Sequence, residues 1–178
     1  DGNEVWLITL GGALFAAFRV AYATVFSLFY TAFMLLLCAL ILRAASLEFR
    51  GQFESPRWRN AWDFVFSLSS FVAALLFGVA AGNLLRGLAI RDLVFEGTFF
   101  SFLNLFSLLT GLLVVSLFAL HGALYLRLKT EGELQVRVGG WARSCAVAAL
   151  VLYIVASLYG LATIPHLRAA PLAWVGLV

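Results

Sequence analysis

The sequence predicts an all-α membrane protein: a bundle of about five transmembrane helices, part of a larger multi-helix subunit, with residues 1–178 as one transmembrane domain. Composition is the first observation, with 63% of residues hydrophobic and 12% charged. The second is where charge is missing. Between Leu7 and Leu42 the sole fully charged residue is Arg19, and from Phe99 to Leu126 there is none apart from His121. The third is length: apolar runs at roughly 3–18, 20–43, 62–86, 99–127 and 141–164, to be set against the ~20 residues a helix needs to cross the hydrocarbon core. In lipid the backbone must satisfy its own hydrogen bonds, which leaves helices or a closed barrel. Runs of this length without period-two alternation exclude barrel strands.

The first run, 3–18, is short for a span and carries Asp1 and Glu4 one turn apart, which puts both carboxylates on one helix face. Asp1 has no initiator Met, basic n-region or cleavage pattern before it, so the start is not a signal peptide and reads as a point partway into a longer protein. Arg19 predicts a tight turn, because the next run begins at once. That run, 20–43, is rich in Phe and Leu and ends at Arg43. A connection with Glu48, Arg50, Glu54, Arg57 and Arg59 follows, broken by Gly51 and Pro56. Trp58 and Trp62 stand four apart at the start of the third run, where an aromatic belt is expected, with Asp63 just inside. The third run closes on Gly78 and Gly82, a small-residue spacing that lets two helices approach closely. Asn104 lies near the start of the fourth run, the loop Lys129 to Glu133 precedes the fifth, and residues 169–178 turn apolar again.

The net charge of +3 does not mark a nucleic-acid protein, because the basic residues sit between spans as topology signals. The 43–59 and 127–143 connections carry Arg43, Arg50, Arg57, Arg59, Arg127, Lys129, Arg137 and Arg143, while the opposite side has Arg19, Arg86, Arg91 and Arg168. The positive-inside rule makes the first group cytoplasmic. Cys38 and Cys145 lie inside apolar runs without metal-ligand spacing and read as small packing residues.

Ionisable residues within spans are functional candidates by default, which singles out Asp1, Glu4, Arg43, Asp63 and His121. If the first helix leaves the cytoplasmic side and the second returns to it, Asp1 and Arg43 lie at similar depth. A carboxylate and a guanidinium at one level could line a water-filled proton path; the alternative is a structural ion pair with a snorkelling arginine. His121 would need a partner to hold a haem or metal, and parity puts His166 on the opposite side, so it reads as a packing histidine. No phosphate-binding loop, nucleophile elbow or zinc-protease motif is present.

The opening Asp1-Gly2-Asn3-Glu4-Val5-Trp6-Leu7, with Gly11-Gly12-Ala13-Leu14-Phe15-Ala16-Ala17, resembles the second helix of subunit II of cytochrome bd ubiquinol oxidase. Further matches are Tyr22 to Ser27, Arg57-Trp58-Arg59-Asn60 with Trp62-Asp63, Gly82-Asn83-Leu84-Leu85-Arg86-Gly87, Phe100 to Asn104, Gly122-Ala123 and Thr130 to Leu134. They run in the family's order from residue 1 to about 134. The resemblance implies a quinol:oxygen oxidoreductase of a bacterial respiratory chain, multi-pass in the cytoplasmic (inner) membrane. It implies that haems b and d are held by a partner, the haem-bearing subunit I, that this chain binds no haem, and that a structural quinone can be present. It further implies that the motif carboxylate and the arginine ending the next helix line a proton path at the subunit interface, roles that fall on Asp1 and Arg43, with Glu4 beside them. The family usually has Pro at the position of Arg19, Gly at Leu28 and Pro at Leu105, so turn geometry and packing are expected to differ there.

The expected function is therefore that of a haem-free scaffold contributing Asp1, Arg43 and Glu4 to proton delivery, in contact with lipid and subunit I, with quinol as the substrate of the complex and no nucleic acid. A non-catalytic assembly or interaction protein is one alternative. A permease is another, set against the lack of internal repeats and broken midplane helices.

Overall fold

The computed structural model describes residues 2–87, 90–91, 94–95 and 99–165, apart from the side chains of 2–4, 7, 90, 91, 94, 95, 99 and 100. Asp1, His166 and the Glu4 side chain therefore lie outside the described residues. The elements in order are α1 (Gly2–Ala17), α2 (Arg19–Leu28), α3 (Tyr30–Arg50), α4 (Pro56–Arg86), α5 (Leu105–Lys129) and α6 (Glu133–Thr163). Between α4 and α5 a two-residue strand pair joins Ile90 to Phe95 and Arg91 to Val94 antiparallel, and a 3-10 turn covers Phe99–Phe102.

Among the described residues four helices, α3 to α6, are long and apolar enough to cross a membrane. The expectation of about five counted 3–18 as a span. As α1 it has 16 residues, a rise of ~24 Å against a hydrocarbon core of ~30 Å. The run 20–43 is divided at Phe29, whose φ of −93° and ψ of 17° depart from helix. Its N–H still reaches the Val25 carbonyl at 3.0 Å and its carbonyl accepts from Phe33 N–H at 2.8 Å, so the break is a bend. Phe18, with φ −128° and ψ 58°, bends the chain likewise between α1 and α2.

Three predicted boundaries move outward, the start of α4 to Pro56 from 62 among them, because hydropathy marks the lipid-immersed part of a helix, while hydrogen bonding continues past it. The α3 helix runs on to Arg50, seven residues past the predicted end at 43, and α6 starts at Glu133 rather than 141. Glu133 in the first turn of α6 suits the positive end of the helix dipole. The fourth run starts later than predicted: residues 99–102 are the 3-10 turn, and Asn104 caps α5 by accepting from Ser107 N–H at 3.0 Å.

From α3 onward the helices form successive antiparallel hairpins. Arg50 and Phe49 meet Asp63 and Trp62, and Arg43 meets Phe66. Gly78 faces Gly111, and Gly82 faces Ser107. Across α5 and α6, Ala123 packs with Val138 and Ala142, and Phe106 packs with Ile164 and Tyr159. Both arginine-rich connections thus reach the same end of the bundle, as the count of basic residues by side requires.

The α4–α5 contact is the closest. A Cβ on Gly78 would lie 2.6 Å from Gly111 Cα, and one on Gly82 would overlap Thr110 Oγ1. The small-residue spacing of α4 is therefore a packing face, and Thr110 uses the approach to donate from Oγ1 to the Gly78 carbonyl at 3.2 Å. Cys145 is half-buried, but Cys38 is exposed on α3, on a face that no described helix covers; the packing role expected of Cys38 is not found among the described residues.

Candidate functional site at the arginine-rich end

The end of α3 and the start of α4 carry the densest side-chain chemistry near the predicted site. Gly51 ends α3 and Pro56 starts α4 as its first residue, the position where a missing N–H costs no helical bond. The turn between them brings Arg50 to Asp63, with Nε 2.5 Å from Oδ1 and Nη2 3.2 Å from Oδ2, the forked geometry arginine makes with a carboxylate. Both side chains are half exposed. Trp58 Nε1 donates to the Phe49 carbonyl at 2.8 Å, satisfying a carbonyl of the last α3 turn. The rings of Phe49 and Trp62 stack at 5.3 Å, and Trp58 meets Trp62 edge-on at 5.6 Å. The expected aromatic belt is thus a clamp closing the hairpin.

Two turns inward from Arg50 on the same face, Arg43 lies exposed with its guanidinium carbon 5.9 Å from the Phe66 ring centroid. That distance permits a cation–π attraction. Among the described residues Arg43 has no carboxylate partner. Asp1 and the Glu4 side chain lie outside the described residues, so the described structure does not bring these three groups together. Asp63, the other acidic candidate, is engaged by Arg50. His121 is exposed on α5, and no group of three His, Cys, Asp or Glu side chains gathers among the described residues.

At the opposite end of α4 and α5 lies a second polar cluster. Asn83 Nδ2 donates to the carbonyls of Val79 and Phe102, both at 2.8 Å, and Asn104 Nδ2 donates to Asn83 Oδ1 at 2.8 Å. Ser107 Oγ donates to the Phe102 carbonyl. Asn83 and Ser107 are buried, so this network ties the 3-10 turn to both helices.

The family description "Cytochrome bd terminal oxidase subunit II" matches residues 1–178, the whole chain. The chain belongs to that family. It is 43% identical over 164 residues to "Cytochrome bd-I ubiquinol oxidase subunit 2" of Escherichia coli (strain K12), an alignment covering 89% of this chain and 43% of that protein. It is 40% identical over 164 residues to "Probable cytochrome oxidase subunit 2" of Haemophilus influenzae, with the same coverage of each. To "Cytochrome bd ubiquinol oxidase subunit 2" of Bacillus subtilis it is 38% identical over 138 residues, covering 77% of this chain and 41% of that one. The chain thus spans less than half the length of the curated relatives it matches.

In this subunit II chain the three departures from the family pattern fall at helix junctions. Arg19 opens α2, Leu28 closes it, and Leu105 is the first residue of α5. The bends at Phe18 and Phe29 form here without Pro or Gly. Phe29 is held by burial, 3% exposed with its ring 5.0 Å from that of Phe102. At Leu105 the replaced Pro would be a helix starter, not a breaker, and the Asn104 cap preserves that start.

The sequence reading missed the Arg50–Asp63 pair because the two residues are thirteen apart, beyond any spacing within one helix. The available signal was symmetry. Counting equal distances outward from the Gly51–Pro56 break pairs the late 40s with the early 60s.

Proposed function

We propose that the chain forms part of the second subunit of a bd-type quinol:oxygen oxidoreductase in a bacterial cytoplasmic membrane. It supports the haem-bearing subunit I and supplies Asp1, Arg43 and Glu4 to a proton path from the cytoplasmic side. The family match over the whole chain supports the complex, and the observation that carries the path is Arg43. Its exposed guanidinium has no carboxylate partner among the described residues, while its neighbour Arg50 is paired. A guanidinium at the arginine-rich end favours the ionised form of a carboxylate placed beside it.

Reduction of dioxygen to water consumes protons together with the electrons drawn from quinol, so protons must reach the oxygen site. Haem supplies the redox chemistry when bound in the complex. The resemblance assigns haem to the partner subunit, and His121 is the single histidine among the described residues of this chain. Membrane lipid and the quinol substrate complete the set of partners, and a structural quinone has no assigned place here.

The contact of Arg43 with Phe66 favours a second reading, a structural arginine in a non-catalytic assembly subunit. Quinol-oxidase turnover of the full-length complex, at matched haem content, separates the two. Asp1→Asn and Arg43→Gln are each expected to lower turnover by tenfold or more, a loss of ~1.4 kcal/mol or more of barrier lowering. Turnover equal to wild type at full haem content would favour the structural reading.

A further inference from the structure

At the arginine-rich end, where α5 meets α6, a hollow of about 380 Å³ is lined by Arg127, Gln135, Val136, Gly139, Gly140 and Arg143. Its walls are tied together, because Gln135 Nε2 donates to the Arg127 carbonyl at 3.2 Å. The Arg127 side chain lies against Gly139, where a Cβ would stand 3.7 Å from Nε. The glycine pair leaves the α6 backbone bare on the wall of the hollow. Neither arginine pairs with a carboxylate among the described residues, although Glu131 and Glu133 lie close by in the chain. Of the other cations nearby, Lys129 is turned to the Tyr125 ring at 6.0 Å, and Arg137 does not line the hollow.

A second, apolar hollow shares Arg143 with the first. Arg143 also lines a groove of about 620 Å³ formed by Ser144, Val147, Ala148, Val151 and Leu152. These residues follow a helical spacing down one face of α6, from the charged end toward the apolar middle of the helix. Two arginines without a carboxylate partner among the described residues, at the head of an apolar groove, match an amphiphile with an anionic head: arginine binds phosphate oxygens through its fork of donors, and basic pockets between spans are suited to anionic headgroups. A soluble anion would leave the groove unused, and a zwitterionic lipid would bring a cation beside its phosphate into a site that already holds two arginines.

We propose that this cup and groove bind one anionic phospholipid, its headgroup phosphate held by Arg127 and Arg143 and an acyl chain laid along Val147, Ala148, Val151 and Leu152. The inference does not depend on the proton path, since none of these residues belongs to it.

The test uses the full-length complex, delipidated in mild detergent and titrated with dioleoyl phosphatidylglycerol, dioleoyl phosphatidylcholine or inorganic phosphate. Bound lipid is read by native mass spectrometry, and the unfolding midpoint is followed in parallel. The wild type is expected to take up phosphatidylglycerol with a rise in midpoint, and phosphatidylcholine without one. The double replacement Arg127→Gln with Arg143→Gln is expected to need roughly tenfold more phosphatidylglycerol, while Arg137→Gln, outside the hollow, behaves as wild type. Ala148→Trp, which fills the groove and keeps both charges, is expected to weaken lipid uptake as well, and it decides the matter if the double variant does not fold. Unchanged uptake in the double variant, or in Ala148→Trp, would overturn the proposal. So would equal stabilisation by phosphatidylcholine, full stabilisation by inorganic phosphate alone, or a wild type that takes up no lipid because protein already covers the hollow.

Discussion

Replacement of Gly82 by valine is expected to destabilise the α4–α5 hairpin by about 1–3 kcal/mol, the usual cost of overpacking a close contact. A Cβ at this position would run into Thr110 Oγ1 and stand 2.9 Å from Ser107 Cα. The second neighbour is backbone, so it cannot swing away as a side-chain end could. The Thr110 hydroxyl would also be driven from its bond to the Gly78 carbonyl, adding the loss of an interhelical hydrogen bond of ~0.6 kcal/mol. Gly122 provides the comparison. It lies on the same pair of hairpins with nothing within 4 Å of a built Cβ, and Gly122→Ala is expected to be neutral or to stabilise by up to ~1 kcal/mol through helix propensity. Thermal unfolding of the full-length protein in detergent measures both. Equal shifts for the two variants would mean that the small-residue face does not set the approach of α4 to α5.

The second large effect is expected from Asn83→Leu. The buried amide makes three hydrogen bonds, two from Nδ2 to main-chain carbonyls and one accepted from Asn104. Leucine has similar bulk but none of this capacity, and it leaves Asn104 Nδ2 with a single weak contact, 3.5 Å from the Phe102 carbonyl. Unsatisfied buried groups cost about 1–3 kcal/mol, and this variant is expected to lose about 2 kcal/mol within that range. Ser116→Ala removes a hydroxyl bonded only within its own helix, to the Leu113 carbonyl at 2.7 Å, and should change little. Amide exchange at Ser107, whose N–H is held by Asn104, should quicken in Asn83→Leu alone. If it does not, the network is not holding the cap of α5.

Much of this architecture was legible in the chain itself, and the reasons differ by residue. Gly78 and Gly82 declared a close helix contact because their spacing is local, four residues on one helix face, and required no knowledge of the partner helix. What they contact, Gly111, Ser107 and Thr110, was not declared, since the facing register depends on how the intervening residues 87–104 return the chain. The bend at Phe29 had no sequence signal, as phenylalanine neither breaks helices nor favours turns. It follows from burial against Phe102, a residue far along the chain. The Arg50–Asp63 pair was hidden for the same reason, with each member reading alone as a topology charge or an inspection candidate. Cys38 is exposed among the described residues, which sequence could not show because an apolar run looks identical on its exposed face and its packed face.

Composition and the position of charge suffice to establish a helical membrane protein with its arginines gathered at one end, because water and hydrocarbon select residues one at a time. Motifs that stay contiguous, such as the opening Asp1-Gly2-Asn3 and Gly82-Asn83, suffice to mark its family, since resemblance is read along the chain. Tertiary structure alone decides which polar groups meet: Arg50 with Asp63, Asn83 with Asn104, and Arg127 beside Arg143 at the head of an apolar groove. Hydrophobicity is a property each residue carries by itself, whereas a hydrogen bond or a shared hollow requires two helices in register. That register is fixed by backbone approach and buried rings that no single stretch of sequence contains.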